Sequence, residues 1–210
     1  MSADTFFSDS QKEEIQAAIS KVESKTAGEV VVMVVDQSDI YPEANLLAGG
    51  IIGGLLALII TDLLFSASLW YFIPLYIVIA FGIGWGAKFC PDLLRYFTLG
   101  RRLENQVREE AIQAFYEKGL YKTRDKTGVL FFISLFERRV WVLADEGIYS
   151  KISQEKLQEH AGGVAKGIKN NNAAEMLICE INKIGKILAE YFPVKADDVN
   201  ELSNKVIVGE

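Results

Sequence analysis

The sequence predicts an α/β fold with a mixed central sheet, interrupted by two membrane-spanning helices. Two observations predict the sheet. Residues 29–36 form an apolar, β-branched run of strand length, and residues 128–144 contain two further runs around a short turn. A third observation predicts the interruption, because residues 46–87 contain a single charged side chain, Asp62.

The first element is predicted to be an amphipathic helix that begins at Ser8 and ends near residue 25. Ser8 and Gln11 have the spacing of a capping box. The strand of residues 29–36 follows, and its apolar residues face both ways, as in a central strand covered on both sides. The apolar residues on the buried face of the helix are Ile15, Ile19 and Val22.

A second amphipathic helix is predicted after the membrane segment, with Gly119 as its C-terminal cap. The second strand then runs from Gly128 to Leu135, and the third returns from Arg138 to Ala144. Because a helix separates the first two strands, we expect them to be parallel, whereas the short turn makes the third antiparallel.

Two more helices are predicted after the strands. Ser153 begins the third, and Asn172, with Glu175 in capping-box spacing, begins the fourth. The polar and acidic chain from Lys195 onward is expected to be loose. The residues predicted to face inward are Leu157, Ala161, Val164 and Ile168, and Leu177, Ile181, Ile184 and Leu188.

The apolar segment divides into residues 46–65 and 69–87, each close to the ~20 residues that cross a bilayer as a helix. Twelve Leu, Ile and Phe residues of the first stretch each favour insertion by roughly 0.3–0.6 kcal/mol. Asp62 opposes insertion by at most about 3.5 kcal/mol, and it lies near the helix end. Insertion is therefore favoured over the alternative of a helical hairpin buried in a soluble core.

Basic residues predict the orientation of the hairpin. Lys88, Arg95, Arg101 and Arg102 follow the second span, and the connection between the spans has no Lys or Arg. The positive-inside rule then places the soluble domain and both termini in the cytoplasm, on the inner face of a bacterial plasma membrane. The N-terminal residues lack the pattern of a cleaved signal peptide. We expect the basic cluster to contact anionic lipid headgroups.

The predicted organisation is one soluble domain with an insert. Residues 1–45 and 101–192 form the domain, and residues 46–87 form the transmembrane hairpin. Residues 88–100 are an interfacial connector, and residues 193–210 are an acidic tail.

Composition excludes several classes of function. The net charge of −6 argues against nucleic acid as a partner. Cys90 and Cys179 lack CxxC spacing, so no disulfide is expected in a reducing compartment. His160 is the single histidine, too few for a zinc site, and is predicted to be a partly exposed helix residue.

A helix that ends before GEVVVMVV, residues 28–35, followed by the segment of residues 123–148 and two helices, resembles the TPM domain family. The family is named after thylakoid lumen, photosystem repair and acetylcholine-receptor modulating members. The resemblance covers residues 8–192, and it is closest to a bacterial branch in which a membrane hairpin interrupts the domain.

The resemblance implies a three-layer α/β/α sandwich. It also implies one of two roles, because some members are described as divalent-cation binders or acid phosphatases and others as assembly and repair factors for membrane complexes. Members that act outside the cytoplasm carry a signal peptide, which this sequence lacks, so their roles transfer poorly.

Three carboxylates are the candidate metal ligands. Counting outward from a turn at Phe136 and Glu137 brings Asp125, Asp145 and Glu146 to one end of the sheet, where they would suit Ca²⁺ or Mg²⁺. The alternative is that Arg124 and Lys126 pair with these acids on a solvated rim. Asp36 is expected at the opposite end of the sheet if the first two strands are parallel, whereas antiparallel pairing would bring it to the same end as Asp125.

Closely spaced glycines in the spans predict helix packing, either within the hairpin or between copies of the protein. These glycines are Gly49, Gly50, Gly53, Gly54, Gly82 and Gly86.

Two functions are expected from the sequence. The first is a non-enzymatic interaction module that is anchored in the lipid bilayer and assists the assembly or maintenance of membrane protein complexes. Its partners would be other membrane proteins or further copies of itself. The alternative is a divalent-metal-dependent phosphohydrolase that uses the three carboxylates.

Overall fold

The protein is represented by a computed structural model, which describes residues 2–65, 68–194 and 200–209. Two compact units divide the chain. One comprises Met1–Ser38 and Glu104–Glu210, and the other comprises Asp39–Leu103. We call them the α/β unit and the hairpin unit.

The α/β unit contains a four-stranded mixed sheet in the order β3-β2-β1-β4. The strands are β1 (Glu29–Val35), β2 (Gly128–Ser134), β3 (Arg139–Ala144) and β4 (Ile207–Gly209). β1 is parallel to β2, and β3 is antiparallel to β2. The predicted strand directions and the central position of β1 are therefore confirmed.

The turn between β2 and β3 has the predicted register. Ser134 pairs with Arg139, and the Arg138 N–H donates to the Leu135 carbonyl over 3.2 Å. Arg138 has a positive φ of 52°, which lets the chain reverse over Phe136 and Glu137.

The expectation of a loose C-terminal tail is wrong for residues 207–209. Ile207 and Val208 supply β-branched side chains, and this segment pairs in parallel with Met33–Val35 of β1 as the edge strand β4. Residues 195–199 of the same tail lie outside the described residues.

The four predicted helices of the α/β unit form in the predicted order, and the short helices Ala3–Phe6 and Glu146–Tyr149 form in addition. The Ser8 capping box forms, and Ser153 caps its helix through a hydrogen bond from the Lys156 N–H. Gly119 follows its helix in the left-handed conformation, with a φ of 76°. The helices are α1 (Ala3–Phe6), α2 (Asp9–Glu23), α6 (Gly100–Glu117), α7 (Glu146–Tyr149), α8 (Gln154–Lys169) and α9 (Ala173–Tyr191); α6 begins in the hairpin unit.

The predicted capping box of the last helix does not form. α9 does follow Asn172, but the Asn172 side chain makes no capping hydrogen bond. Its backbone has φ −125° and ψ 42°, away from the extended conformation that points a cap side chain at the first turn.

Two apolar clusters cover the two faces of the sheet, which gives the α/β/α sandwich. Alternate residues of β1 point to opposite faces, as in any strand. Val30, Val32 and Val34 join the side chains of α2, α8 and α9 in one cluster. Val31, Met33 and Val35 join the side chains of α6 in the other. The three-layer fold is thus confirmed.

The hairpin unit contains two helices that are long and apolar enough to span a membrane. They are α3 (Pro42–Phe65) and α4 (Leu69–Gly86), and α3 begins four residues before the predicted span. The connector of residues 88–100 contains a further helix, α5 (Pro91–Phe97), whose Leu94 is buried.

α3 and α4 approach closely at small residues. A Cβ atom added to Gly53 would lie 2.7 Å from Ala80 Cα, and one added to Gly49 would overlap the Ala80 carbonyl oxygen. Gly84, which the sequence analysis did not select, lies opposite Gly49 on α4. Gly50 and Gly54 lie beside the Tyr76 ring. A Cβ on Gly82 or Gly86 would have no heavy atom of the described chain within 4 Å.

An ion-pair cluster joins the two ends of the hairpin unit. The Arg102 guanidinium lies 2.7 Å from an Asp39 carboxylate oxygen and 3.1 Å from one of Glu43. It also lies 5.9 Å from the centroid of the buried Tyr41 ring. Arg102 follows the second span, whereas Asp39 precedes α3 and Glu43 lies in its first turn, so this contact closes the base of the hairpin.

Gly53→Ala is expected to destabilise the hairpin by about 1–3 kcal/mol, because the added methyl group overlaps the α4 backbone. Gly82→Ala is the matched control and should be neutral or slightly stabilising, since its methyl group meets open space and alanine favours a helix. Unfolding of the detergent-solubilised protein by sodium dodecyl sulfate, followed by circular dichroism, measures both effects. Equal effects would contradict close packing at Gly53.

Candidate functional site

The predicted carboxylates lie at the end of the sheet where β2 begins and β3 ends. The Asp145 N–H donates to the Gly128 carbonyl over 2.9 Å, so the β3 pairing continues one residue beyond the strand. The Gly147 N–H donates to the Lys126 carbonyl over 3.1 Å. These bonds hold the loop that contains Asp125 against the first turn of α7.

Each of the three acids has local contacts. Asp145 caps α7, because its Oδ1 accepts from the Glu146 N–H over 2.7 Å. Its Oδ2 is buried and accepts no hydrogen bond within the described chain. The Glu146 carboxylate is 2.5 Å from the Lys126 ammonium, whose hydrogen bond lowers the pKa of Glu146. Asp125 lies 3.9 Å from the Arg124 guanidinium.

The pairing of Glu146 with Lys126 is the contact expected for a solvated rim. Across the described residues, no three His, Cys, Asp or Glu side chains are grouped so that they would hold one metal ion. Binding of Ca²⁺ or Mg²⁺ by Asp125, Asp145 and Glu146 stays a prediction.

Asp36 lies at the other end of the sheet, as expected from the parallel register of β1 and β2. There the buried carboxylate of Glu137 accepts from the Ser38 N–H over 2.9 Å and from the Ser134 hydroxyl. The Ser38 hydroxyl donates to Ser134 Oγ over 3.0 Å. These contacts fix the chain that leaves β1 against the turn between β2 and β3.

A carboxyl pair that sequence reasoning missed lies at the same end of the sheet as Asp125. Glu23 ends α2, Glu29 begins β1, and the Glu29 carboxyl group is near enough to raise the pKa of Glu23. The Val30 N–H donates to Glu23 over 3.0 Å, and the Glu201 N–H donates to Glu29 over 3.0 Å. Both acids line a cleft with Ser20, Thr26, Asn200 and Asn204.

Burial raises the pKa of Glu23 to about 7, and the nearby charge of Glu29 adds to this effect. The hydrogen bond from the Val30 N–H acts in the opposite direction but does not outweigh burial. One feature of the sequence indicates this pair, because Glu29 is an acid at the start of the otherwise apolar run of β1. Asn204, whose side-chain amide donates a hydrogen bond to Glu23, lies in the C-terminal segment, and its position in the sequence gave no indication of this contact.

A third group of titratable side chains joins α8 to α9. His160 Nδ1 lies 2.7 Å from Glu180 Oε2, and the Lys183 ammonium lies 2.8 Å from Glu180 Oε1. Burial alone raises the pKa of Glu180, but the hydrogen bonds from Lys183 and His160 outweigh it and lower that pKa. His160 is thus a helix residue paired with a buried acid, and this group ties two core helices together.

The raised pKa of Glu23 predicts how stability depends on pH. The folded state holds the Glu23 proton more tightly than the unfolded chain, whose pKa is near 4.5. Protonated Glu23 therefore makes its full contribution to the free energy of unfolding below about pH 4.5, and this contribution is lost as the pH rises through about 7. Glu23→Gln, which resembles the protonated acid, should flatten this dependence between pH 5 and 8, as measured by thermal unfolding.

Glu13→Gln removes an exposed acid from the same helix and is the control. It should unfold with the same pH dependence as the wild-type protein. A Glu23→Gln protein that retains the full wild-type pH dependence would exclude Glu23 as its source.

No protein-family model matches the chain, and no curated protein matches it. Its fold is similar to the NMR structure of the BA42 protein from the psychrophilic bacterium Bizionia argentinensis. The two chains are 20% identical, the match covers 97% of this chain and 96% of that chain, and the TM-score is 0.61. At this identity the similarity shows the fold, and it supports the TPM-like fold that the sequence resemblance implies.

Proposed function

We propose that this protein is a membrane-anchored interaction module. Its TPM-like α/β unit is held at the cytoplasmic face of the plasma membrane by the helical hairpin. There it binds other membrane proteins, or further copies of itself, during the assembly or maintenance of membrane complexes.

The observation that carries the proposal is the exposed apolar surface of the hairpin. No described residue of α4 is buried, although the helix is almost wholly apolar. On α3 the leucine side chains Leu46, Leu58 and Leu63 are each more than half exposed. Monomeric soluble proteins rarely expose apolar surface on this scale, and a bilayer would cover it.

Two further features support the cytoplasmic orientation. Asp39 and Arg102 bind each other, so the chain enters and leaves the hairpin at one end. The chain that leaves the hairpin contains the basic residues Lys88, Arg95 and Arg101. The positive-inside rule assigns this end of the hairpin to the cytoplasm.

The two native cysteines provide a test of this orientation. Cys179 is exposed on the α/β unit. In a Cys90→Ser background, a membrane-impermeant maleimide should label Cys179 only after the cells are permeabilised. The matched control is Ser68→Cys in a Cys90→Ser/Cys179→Ser background, which lies between the spans and should be labelled in intact cells.

The same cells test the interaction itself. After extraction in mild detergent, the protein should elute with partner proteins or as an oligomer rather than as a lone monomer. Labelling of Cys179 in intact cells would contradict the orientation, and a lone monomer under all mild conditions would contradict the interaction.

Cation binding at the rim is a second proposal, and the phosphohydrolase alternative depends on it. Asp145 supports it, because its buried Oδ2 lacks a hydrogen-bond donor among the described residues and faces a desolvation cost that a cation would offset. Asp125 and Glu146 would complete the oxygen ligands for Ca²⁺ or Mg²⁺.

Asp145→Asn should weaken Ca²⁺ or Mg²⁺ binding by about tenfold or more, because it removes a charged ligand. Asparagine still caps a helix, so α7 should remain folded. Isothermal titration of the detergent-solubilised protein measures the affinity, with Glu175→Gln on α9 as the control. Wild-type protein that binds neither cation would exclude the site and, with it, the phosphohydrolase.

A further inference from the structure

The end of the hairpin that contains α5 has an exposed surface of aromatic and basic side chains. We call it the connector surface, and it lies entirely within the hairpin unit. Its exposed side chains are the apolar Trp85, Phe89, Tyr96 and Leu99 and the basic Lys88 and Arg101, and the half-buried Arg95 lies in the same segment.

The backbone beneath the connector surface is held by packing. Leu94 is buried, and α5 packs against α3. The Thr98 hydroxyl donates to the Leu94 carbonyl over 2.9 Å, which fixes the end of α5. Leu94 and Thr98 face inward, whereas Tyr96 between them and Leu99 beside them are exposed.

Four apolar side chains of the connector surface are largely exposed. The exposed fraction is 62% for Trp85, 75% for Phe89, 85% for Tyr96 and 79% for Leu99. The Trp85 and Phe89 rings also contact each other edge to face, with centroids 6.1 Å apart. Tryptophan and tyrosine are enriched at the boundary between hydrocarbon and headgroups, where one part of the ring is wet.

The charges of the same surface are only partly neutralised by the protein. Arg102, the neighbour of Arg101, is paired with Asp39 and Glu43. Arg95 lies 3.7 Å from Asp92. Lys88 and Arg101 are exposed, and within the described chain neither forms an ion pair.

We infer that the connector surface binds anionic phospholipid headgroups of the cytoplasmic leaflet, with Lys88 and Arg101 contacting the phosphates. This inference rests on the proposed membrane anchoring. It narrows the headgroup contact expected for the whole basic cluster to Lys88 and Arg101, since Arg95 and Arg102 are paired with acids of the protein. Charge complementarity selects the anionic headgroup, and the exposed aromatic side chains of the same segment are of the kind that lies at headgroup depth.

Binding of phosphatidylglycerol to the delipidated full-length protein tests the inference, with native mass spectrometry as the readout. Each basic residue near an anionic bilayer surface contributes about fivefold to binding, so Lys88→Gln/Arg101→Gln should weaken phosphatidylglycerol binding by about 25-fold. Phosphatidylcholine binding should change little, because that headgroup has no net charge. Both side chains are exposed, so their replacement should leave the fold intact.

The control is Lys166→Gln/Lys169→Gln, which removes the same charge from the exposed end of α8 and should leave phosphatidylglycerol binding unchanged. Three results would overturn the inference. They are equal binding of the two lipids by the wild-type protein, unchanged phosphatidylglycerol binding by the Lys88→Gln/Arg101→Gln protein, and an equal loss in the control. Loss of a co-purified protein without loss of lipid binding would instead assign the surface to a protein partner.

Sodium carbonate extraction of membranes separates this inference from the proposed function. A protein that is released by carbonate contradicts the membrane anchor itself. A protein that resists extraction but shows no lipid preference contradicts only the inference drawn from the connector surface.

Discussion

The α/β unit depends on the parallel pairing of β1 with β2, which runs from Glu29 opposite Gly128 to Val35 opposite Ser134. Parallel neighbours require a crossover connection, and residues 36–127 form it here. Every residue of both strands is buried, so neither is stable in water without helices on both faces. The α/β unit therefore forms only when β1, which precedes the hairpin unit, pairs with β2, which follows it.

The hairpin unit is inserted into this crossover connection, and polar contacts hold the chain at both ends of the insert. Within the α/β unit, the buried Glu137 carboxylate accepts a hydrogen bond from the Ser38 N–H, and Ser38 is the last residue before the hairpin unit. A buried carboxylate needs such donors to offset its desolvation. Within the hairpin unit, Arg102 binds Asp39 and Glu43, which brings the two ends of the insert together. Each unit thus fixes its own side of the junction with polar contacts.

Local patterns in the sequence were enough to predict most of the fold. The apolar run of β1, the Ser8 capping box and the inward residues of α8 and α9 all depend on neighbours within a few positions in the chain. Counting residues through the turn at Phe136 gave the register that brings Asp145 beside Gly128, because one residue pair fixes all others in an antiparallel ladder. The apolar hairpin is equally local, since length and composition decide whether a helix suits a bilayer.

The features that the sequence left open all depend on contacts between distant segments. Ile207 pairs with Met33 as part of β4, and Asn204 bonds to Glu23, yet nothing in a polar tail indicates which strand or side chain it will meet. The raised pKa of Glu23 likewise comes from burial and from Glu29. The periodicity of side chains therefore determined the elements and their faces, because it acts within one helix or strand. The partners of each buried polar group were decided only by tertiary packing, because desolvation depends on every segment that covers the group.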